Sequence, residues 1–287
     1  MRAETGDRRA IVAGVDGSAA ALAAVRWAAG EAALLRAPLR LVHVFAVRDE
    51  GENWLRNAES VAAETDSGLE IETVLREGDV RGSLLAESAR ARLVAIGSRG
   101  LRAVGEVLMG SAATALMAHG QSPLVVVRGS VPRQGPVVVG VDGWAECAGA
   151  ARFAFEQADR YGTGVTAVRT WRAPVTADSV AVHERVHAAL VAELSTLSAE
   201  FADVPVDRVV LRGRPERTLL DFGELARLIV VGTRGRAGFT GVLLGSTSQS
   251  LARHGDCPVA IVRSADVVDA QVKRAHHAVG GAERSRK

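Results

Sequence analysis

Short runs of β-branched and leucine residues alternate along the chain with longer, alanine-rich stretches of mixed polarity. In the first half the runs are AIVAGV, LRLVHVF, LEIETVL, RLVAIG and PLVVVR, mostly apolar with little regular polar alternation. Runs of this kind are typical of strands that are covered on both faces. Apolar residues recur at helical spacing in 18–36, and more weakly in 53–66, 80–91 and 111–119. The pattern predicts right-handed β-α-β units and an α/β fold with an open, doubly wound parallel sheet.

The same pattern begins again in the second half of the chain. IVAGVDGS at 11–18 matches VVVGVDGW at 137–144, with an offset of 126 residues that places Asp16 opposite Asp142. A fixed offset between similar segments is the signature of an internal duplication. We therefore expect each half of the chain to form one copy of the same fold.

The two copies differ in length. GSAATALMAHGQSPLVVVR at 110–128 matches GSTSQSLARHGDCPVAIVR at 245–263, and here the offset is 135 residues. The offset grows by nine residues between the start and the end of the copy, and the matches on either side place the insertion between Trp171 and Arg212.

The duplication predicts two tandem domains, at 8–131 and 135–264, joined by the linker GSVPRQG at 129–135. A length of 287 residues, with 48% hydrophobic and 24% charged residues, suits two globular domains of this size. Residues 265–287 have no match in the first copy, and we expect this C-terminal tail to be mobile.

Each copy carries the glycine pattern G-x2-G-x9-G-S directly after its fourth strand. Gly97 and Gly100 allow a sharp turn and a close approach to a ligand, because glycine has no Cβ. Gly110 and Ser111 begin the next helix, where Ser111 can cap and the helix N-terminus attracts phosphate. Ligands of open α/β sheets bind beyond the carboxyl ends of the strands, where these glycines fall. The pattern therefore predicts one phosphate-binding loop in each copy.

Charged residues flank this loop in both copies. Asp16 and Asp142 stand at the carboxyl end of the first strand, where a carboxylate could bind ribose hydroxyls or a metal that bridges phosphates. The alternative, equally good on sequence alone, is that each Asp caps the following helix. Arg99 and Arg234 recur inside the loop and could pair with phosphate oxygens, or be solvated, or lie at a dimer contact.

Taken together, these motifs resemble the universal stress protein family, whose ATP-binding members carry G-x2-G-x9-G-[ST]. The resemblance covers about 8–131 and 135–264 and implies a Rossmann-like fold of the adenine nucleotide alpha hydrolase type. It also implies one ATP site per domain, with Mg²⁺ as a candidate companion ion, and an adenine pocket lined by Val44 and Thr170. The candidate residues of the first site are Gly14, Val15, Asp16, Val44, Gly97, Arg99, Gly100, Gly110, Ser111 and Ala112. Those of the second site are Gly140, Val141, Asp142, Thr170, Gly232, Arg234, Gly235, Gly245, Ser246 and Thr247.

The two loops differ in composition. The first contains LRAVGE, with the acidic Glu106 near the expected phosphates, whereas the second contains the glycine-rich RAGFTG. Thr170, in place of an apolar residue, could weaken the second site. On the loop composition, we expect the first site to bind ATP more weakly than the second.

Composition and missing motifs narrow the function. A formal net charge of +2 gives no electrostatic sign of a nucleic-acid or membrane partner, and the chain shows neither a signal peptide nor a membrane span, so we expect a cytoplasmic protein. The sequence lacks a GK dipeptide and hence a Walker A lysine, and it shows no evident base poised to activate water. We expect a nucleotide-dependent regulatory or stress-response module rather than an enzyme. The alternatives are a slow ATPase or phosphotransfer enzyme and a nucleotide-free interaction scaffold.

Two further features bear on metals and on assembly. HERVH at 183–187 fits H-E-x-x-H, but a third zinc ligand would require Glu193 or Glu200 to fold back, so a solvated helix is the favoured interpretation. The last strands, PLVVVR and PVAIVR, are apolar, and an exposed sheet edge invites pairing. We expect the two domains to pair as a pseudo-dimer, and two chains to form a homodimer.

Overall fold

The computed structural model describes residues 9–47, 50–98, 110–128, 134–172, 179–233 and 245–263. Strands and helices alternate through these residues, as the hydrophobic pattern predicts. The first repeat consists of β1 (Ile11–Gly14), α1 (Ala19–Leu35), β2 (Leu39–Phe45), α2 (Gly51–Thr65), β3 (Ile71–Glu77), α3 (Val80–Ser88), β4 (Leu93–Gly97), α4 (Ser111–His119) and β5 (Leu124–Val127). The second repeat consists of β6 (Val137–Gly140), α5 (Trp144–Tyr161), β7 (Val165–Trp171), α6 (Ser179–Glu200), β8 (Val206–Arg212), α7 (Pro215–Gly223), β9 (Leu228–Gly232), α8 (Ser246–His254) and β10 (Val259–Val262). The predicted α/β class is confirmed.

All ten of these strands form one sheet, in the order β3-β2-β1-β4-β5-β10-β9-β6-β7-β8. Within each repeat every strand pairing is parallel, which confirms the doubly wound arrangement. The last strands of the two repeats, β5 and β10, pair antiparallel in the middle of the sheet. Val125 lies opposite Ala260, its equivalent at the offset of 135, so the pairing is symmetric in register.

The helices cover both faces of this sheet. Residues of α1, α2, α5 and α6 share one core cluster, and residues of α3, α4, α7 and α8 share the other. Alternate strand residues contribute to the two clusters, as Ala13 belongs to the first and Val12 to the second. The central strands are buried on both faces, which explains their mostly apolar sequences. The prediction that LEIETVL is covered on both faces is wrong, because β3 lies at one end of the sheet and several of its residues are exposed.

Most of the nine-residue difference between the repeats is located in the helix after the second strand, and the remaining two residues lie in the connection before that helix. Helix α2 has 15 residues and α6 has 22, and their last residues, Thr65 and Glu200, are equivalent at the offset of 135. The added turns of α6 therefore lie at its N-terminal end, in agreement with the predicted insertion between Trp171 and Arg212.

Two sets of polar contacts join the repeats. Arg263, which follows β10, donates to the carbonyl oxygens of Gly120 at 2.6 Å and of Ala118 at 3.3 Å. Its equivalent after β5, Arg128, donates to the carbonyl oxygen of Arg253, the residue equivalent to Ala118. Each guanidinium thus meets the C-terminal carbonyls of the other repeat's last helix, where the helix dipole favours a cation.

A second polar contact between the repeats, among the described residues, involves a buried carboxylate. Glu31 of α1 accepts a hydrogen bond from Gln157 Nε2 of α5 at 2.9 Å and another from the Tyr161 hydroxyl. Burial is the main reason that the pKa of Glu31 is raised, and the two donors oppose this shift. Glu31 and Gln157 are equivalent at the offset of 126, so the two repeats meet here through matching positions.

Candidate functional site

The topology brings the described residues of each predicted site to one edge of the sheet. Strand β1 lies between β2 and β4, and the chain leaves β1 toward one face and β4 toward the other. This reversal of strand order opens a crevice at the carboxyl ends of β1 and β4, and at those of β6 and β9 in the second repeat. Because the repeats run antiparallel to one another, the two crevices lie at opposite edges of the ten-stranded sheet.

At the first crevice, Asp16 organises the turn between β1 and α1. Its Oδ1 accepts hydrogen bonds from the backbone N–H of Ser18 at 3.0 Å and from the Ser18 hydroxyl at 2.6 Å. Ser18 is the N-cap of α1 and accepts from the N–H of Ala21 at 3.1 Å. Asp16 is thus not the cap residue itself, since it orients the serine that caps the helix.

The second crevice replaces this arrangement with a glycine and a thiol. Gly143 is the N-cap of α5, at φ 82°, and provides no side chain to cap the helix. The backbone N–H of Asp142 donates to Sγ of Cys147 at 3.2 Å. Burial raises the pKa of the Cys147 thiol to about 11, so this sulfur stays protonated at neutral pH. The equivalent of Cys147 in the first repeat is Ala21.

Gly97, at the end of β4, has a packing role. A Cβ atom there would lie 2.5 Å from the carbonyl carbon of Ala20 and 2.7 Å from the nitrogen of Ala21. These are backbone atoms of the first turn of α1, so only glycine lets that turn approach β4. Gly97 thereby sets the position of the α1 N-terminus beside the crevice. Gly14 and Gly140 are also close to neighbours, with Cβ positions 3.3 Å from Ile96 and 2.9 Å from Leu219.

Gly110 is different, because no described atom lies within 4 Å of the position its Cβ would take. It is the N-cap of α4, and Gly245 is the N-cap of α8; neither makes a side-chain cap hydrogen bond. The prediction that Ser111 caps the helix is wrong, because Ser111 is already the first helical residue. Ser111 and Ser246 are exposed, and Ala112 and Thr247 are half-buried, at the open start of each helix. Packing among the described residues does not explain the glycine at 110, whereas close approach of a ligand would.

The ends of the second glycine loop are joined by a hydrogen bond. The N–H of Gly245 donates to the carbonyl oxygen of Thr233 at 3.0 Å, and Thr233 N–H donates to Val262 at 3.1 Å. The start of α8 is therefore fixed next to the end of β9. The loop residues themselves, with the predicted Arg99, Gly100, Glu106, Arg234 and Gly235, lie outside the described residues.

Val44 and Thr170 take equivalent places near the ends of β2 and β7, the strands beside β1 and β6. Val44 is buried and Thr170 is partly exposed. Each stands on the strand beside β1 or β6, the strands that the aspartates follow. Both residues can therefore contribute to the wall of their crevice.

Sequence reasoning missed two buried polar residues under the strand ends. His43 Nδ1 lies 2.7 Å from the carbonyl oxygen of Val15, and Arg169 Nε donates to that of Val141 at 3.2 Å. His43 and Arg169 are equivalent at the offset of 126. The signal was present in the sequence, because each residue is the one polar residue on its face of the strand, among Leu39, Leu41 and Phe45 in LRLVHVF and among Val165, Ala167 and Trp171 in VTAVRTW.

The H-E-x-x-H segment lies on the added turns of α6. The rings of His183 and His187 are nearly parallel, with centroids 6.5 Å apart, and His183 is exposed. Glu193, one possible third zinc ligand, forms an ion pair with Arg169 instead. Within the described part of the chain, no group of three or more His, Cys, Asp or Glu side chains is placed to hold a metal ion.

Comparison with known proteins supports the duplication. The model of the universal stress protein family matches residues 7–128 and again 135–263. A universal stress protein of Mycolicibacterium smegmatis is 35% identical over 283 residues, covering 88% of this chain and 96% of that protein. One from Mycobacterium tuberculosis is 32% identical over 284 residues, with the same coverage of 88% and 96%.

A solved structure has the same fold over most of the chain. The crystal structure of a universal stress protein from Archaeoglobus fulgidus superposes with a TM-score of 0.67 at 18% identity, covering 90% of this chain and 99% of the other. Among the residues that the structure describes, no helix has the length and apolar character needed to cross a bilayer.

Proposed function

Because the chain belongs to the universal stress protein family, we propose that each of its two domains binds ATP in the crevice between its first and fourth strands. The observation that carries the proposal is the start of α4 at Gly110. This helix begins without a side-chain cap, and no atom of the described residues lies within 4 Å of the Cβ position of its N-cap glycine. An N-terminus of that kind presents backbone N–H groups and the positive end of the helix dipole to a phosphate.

The rest of the crevice suits the remainder of a nucleotide. Asp16 and Asp142 stand at the strand ends, where their carboxylates can accept hydrogen bonds from ribose hydroxyls or hold an Mg²⁺ ion that accompanies the phosphates. Val44 offers an apolar surface to the base in the first site and Thr170 a partly polar one in the second. The two sites thus share a glycine N-cap at the helix that would bind the phosphates, and they differ in loop composition and where the base would lie.

We propose a regulatory role for this binding. A ligand shifts the population of protein states by its difference in affinity for them, and no reaction is needed. ATP would stabilise the conformation that closes each crevice and change the surface offered to partners in the cytoplasm. The two domains would act as a pseudo-dimer, and two chains would associate as a homodimer.

The test is to release and identify the small molecules bound to purified protein, and to measure ATP affinity by calorimetry. Gly110→Glu and Gly245→Glu each place a carboxylate where the phosphates would lie, so each should remove one ATP equivalent and the double variant should remove both. Gly30→Glu is the matched control, because its added side chain also meets open space but lies in the middle of α1. ATP binding by the double variant at wild-type affinity would refute the proposal.

A slow ATPase would give a different result. Turnover above background that is lost in an Asp16→Ala, Asp142→Ala double variant would favour catalysis over a purely regulatory site. A protein with no copurified nucleotide and no measurable ATP affinity would instead be an interaction scaffold.

A further inference from the structure

We propose that His43 and Arg169 are positioning residues, which fix the peptide group at the end of the first strand of each repeat so that it can receive the nucleotide. The inference rests on the proposed function and adds the residues that orient its sites. It begins from one observation: two chemically different side chains at equivalent positions bond to the same backbone atom, the carbonyl oxygen of Val15 or Val141.

This peptide group is the last fixed point of the strand before the crevice. In the first repeat, the N–H of Val15 donates to the carbonyl oxygen of Val42 at 2.9 Å, and the Val15 carbonyl oxygen accepts a hydrogen bond from His43 Nδ1. In the second, Val141 donates to Val168 at 2.9 Å while its carbonyl accepts from Arg169. Because a trans peptide is planar, a bond to this carbonyl also orients the N–H of the aspartate that follows.

The His43 ring is held firmly enough to impose that orientation. It is 3% exposed, and it forms a T-shaped pair with the Trp54 ring, with centroids 5.1 Å apart. A Cβ at Gly51 would come within 2.3 Å of the ring, so the start of α2 lies directly against it. A carbonyl oxygen only accepts, so Nδ1 must carry the hydrogen.

Arg169 reaches the same carbonyl in a different environment. It is 4% exposed, and its terminal nitrogen pairs with the carboxylate of Glu193 on α6. A buried guanidinium needs such a partner, because removal of a charge from water is costly. The N–H of Asp142, on the opposite side of the peptide, donates to Cys147 Sγ at 3.2 Å. Because a cysteine sulfur is a weak acceptor, a nucleotide atom would replace it as the partner of this N–H.

A role in core packing alone does not explain why both repeats keep a hydrogen bond to the carbonyl oxygen at the end of their first strand. An apolar residue would fill either position without the burial of a polar group, and the other residues of both strands on this face are apolar. The two repeats have exchanged imidazole for guanidinium and kept the bond. What they share is therefore the donor to the strand-end carbonyl.

Two His43 variants separate the donor from the ring. His43→Phe keeps the aromatic packing and loses the donor, whereas His43→Asn loses the ring and keeps an N–H near the position of Nδ1. In a Gly245→Glu background, where only the first site binds, we expect His43→Phe to weaken ATP binding about fivefold, as expected for one lost hydrogen bond. His43→Asn should stay within about twofold of wild type, although it lowers the unfolding temperature more.

A role in packing alone predicts the reverse order, because His43→Asn leaves the larger cavity. ATP affinity that is unchanged in His43→Phe, or lowered as much in His43→Asn, would overturn the positioning role. When His43→Phe is instead combined with Gly110→Glu, so that only the second site binds, that site should keep its wild-type affinity, which would show that the His43→Phe chain is folded.

The second site has its own pair of variants, measured in the Gly110→Glu background. Arg169→Met combined with Glu193→Gln removes the donor without a stranded carboxylate, and it should weaken ATP binding about fivefold. Glu193→Gln alone keeps the donor and is the matched control. If wild-type protein binds ATP and none of these variants changes its affinity, only the positioning role fails; if wild-type protein binds no ATP, the proposed function fails first.

Discussion

The two repeats build the same layer of the fold from different chemistry. In the first, Glu87 of α3 is buried and binds Arg40 Nε at 2.9 Å and Arg76 at 3.1 Å. The equivalent residues of the second repeat are Phe222, Thr166 and Leu211, so the ion-pair network has become largely apolar. Both versions leave the strand order unchanged. The comparison shows that the strand order depends on which positions are buried, and only weakly on whether the side chains at those positions are charged or apolar.

The two crevices tolerate less change in their contacts than the layer around Glu87 does. The bond to the strand-end carbonyl persists when His43 is exchanged for Arg169, whereas the cap of the first helix changes from Ser18 to Gly143. Contacts that position the site are kept, and contacts that only complete a helix are not.

The largest expected effect comes from breaking the packing of Gly97. Gly97→Ala should lower the free energy of unfolding by about 3 kcal/mol, because its Cβ would collide with the backbone of Ala20 and that backbone cannot move without shifting α1. Gly110→Ala is the matched control and should change stability by less than about 1 kcal/mol, since its Cβ would meet no atom of the described residues and only the N-cap preference for glycine is lost. Urea unfolding of both variants measures the difference, and equal midpoints would contradict the packing role.

Removal of Glu87 should be the next largest effect. Glu87→Ala leaves Arg40 and Arg76 without their shared carboxylate and should destabilise the first repeat by about 2 kcal/mol, less than for a fully buried pair because both arginines are partly exposed. Phe222→Leu, the milder change at the equivalent position, should cost about 1 kcal/mol. Urea unfolding at 0.1 and 1 M NaCl distinguishes them, because only the Glu87 effect should shrink with salt.

The contact at Glu31 should respond to pH. Because the pKa of Glu31 is raised in the folded state, that state binds a proton more tightly than the unfolded chain, and its stability falls as pH rises above the ordinary value of 4.5. Glu31→Gln keeps the shape without the charge, so its stability relative to wild type should increase on the order of 1 kcal/mol between pH 4 and pH 8. Thermal unfolding across this range tests the sign, and a parallel pH dependence of the two proteins would refute it.

The smallest effect is expected at Cys147. With a pKa of about 11, the thiol should react with alkylating reagents far more slowly than a free cysteine at pH 8, and at the rate of local opening of the structure. Cys147→Ala restores the residue of the first repeat, Ala21, and should cost less than about 1 kcal/mol. Rapid alkylation of Cys147 in the native protein, followed by mass spectrometry, would contradict its burial.

Much of the fold could be predicted from the sequence because burial on both faces leaves a direct pattern. The unbroken apolar run LVAIG is typical of a strand within a covered sheet, and the structure has it as β4. The duplication strengthened these predictions, because similar segments occur in both halves of the sequence in the same order. The start of α4 was predicted one residue late, at Ser111 as a cap, because glycine at 110 and serine at 111 both suit an N-cap and only the backbone conformation separates them.

What could not be predicted depends on residues far apart in the sequence. The need for glycine at 97 comes from the backbone of Ala20, and the role of His43 comes from the carbonyl of Val15. Neither partner has a local signature. The reciprocal contacts of Arg128 and Arg263 likewise require the antiparallel pairing of β5 with β10, which no short motif specifies.

The contact between Glu31 and Gln157 also bears on why the two repeats are one polypeptide. If the first repeat were expressed alone and paired with itself in the same register, a carboxylate would meet an identical carboxylate at that buried position, and one of them would have to take up a proton. A glutamine in the second repeat removes this repulsion. Covalent linkage supplies each first repeat with a second repeat that carries the compatible glutamine. The first repeat expressed alone should therefore pair with a second copy of itself less stably.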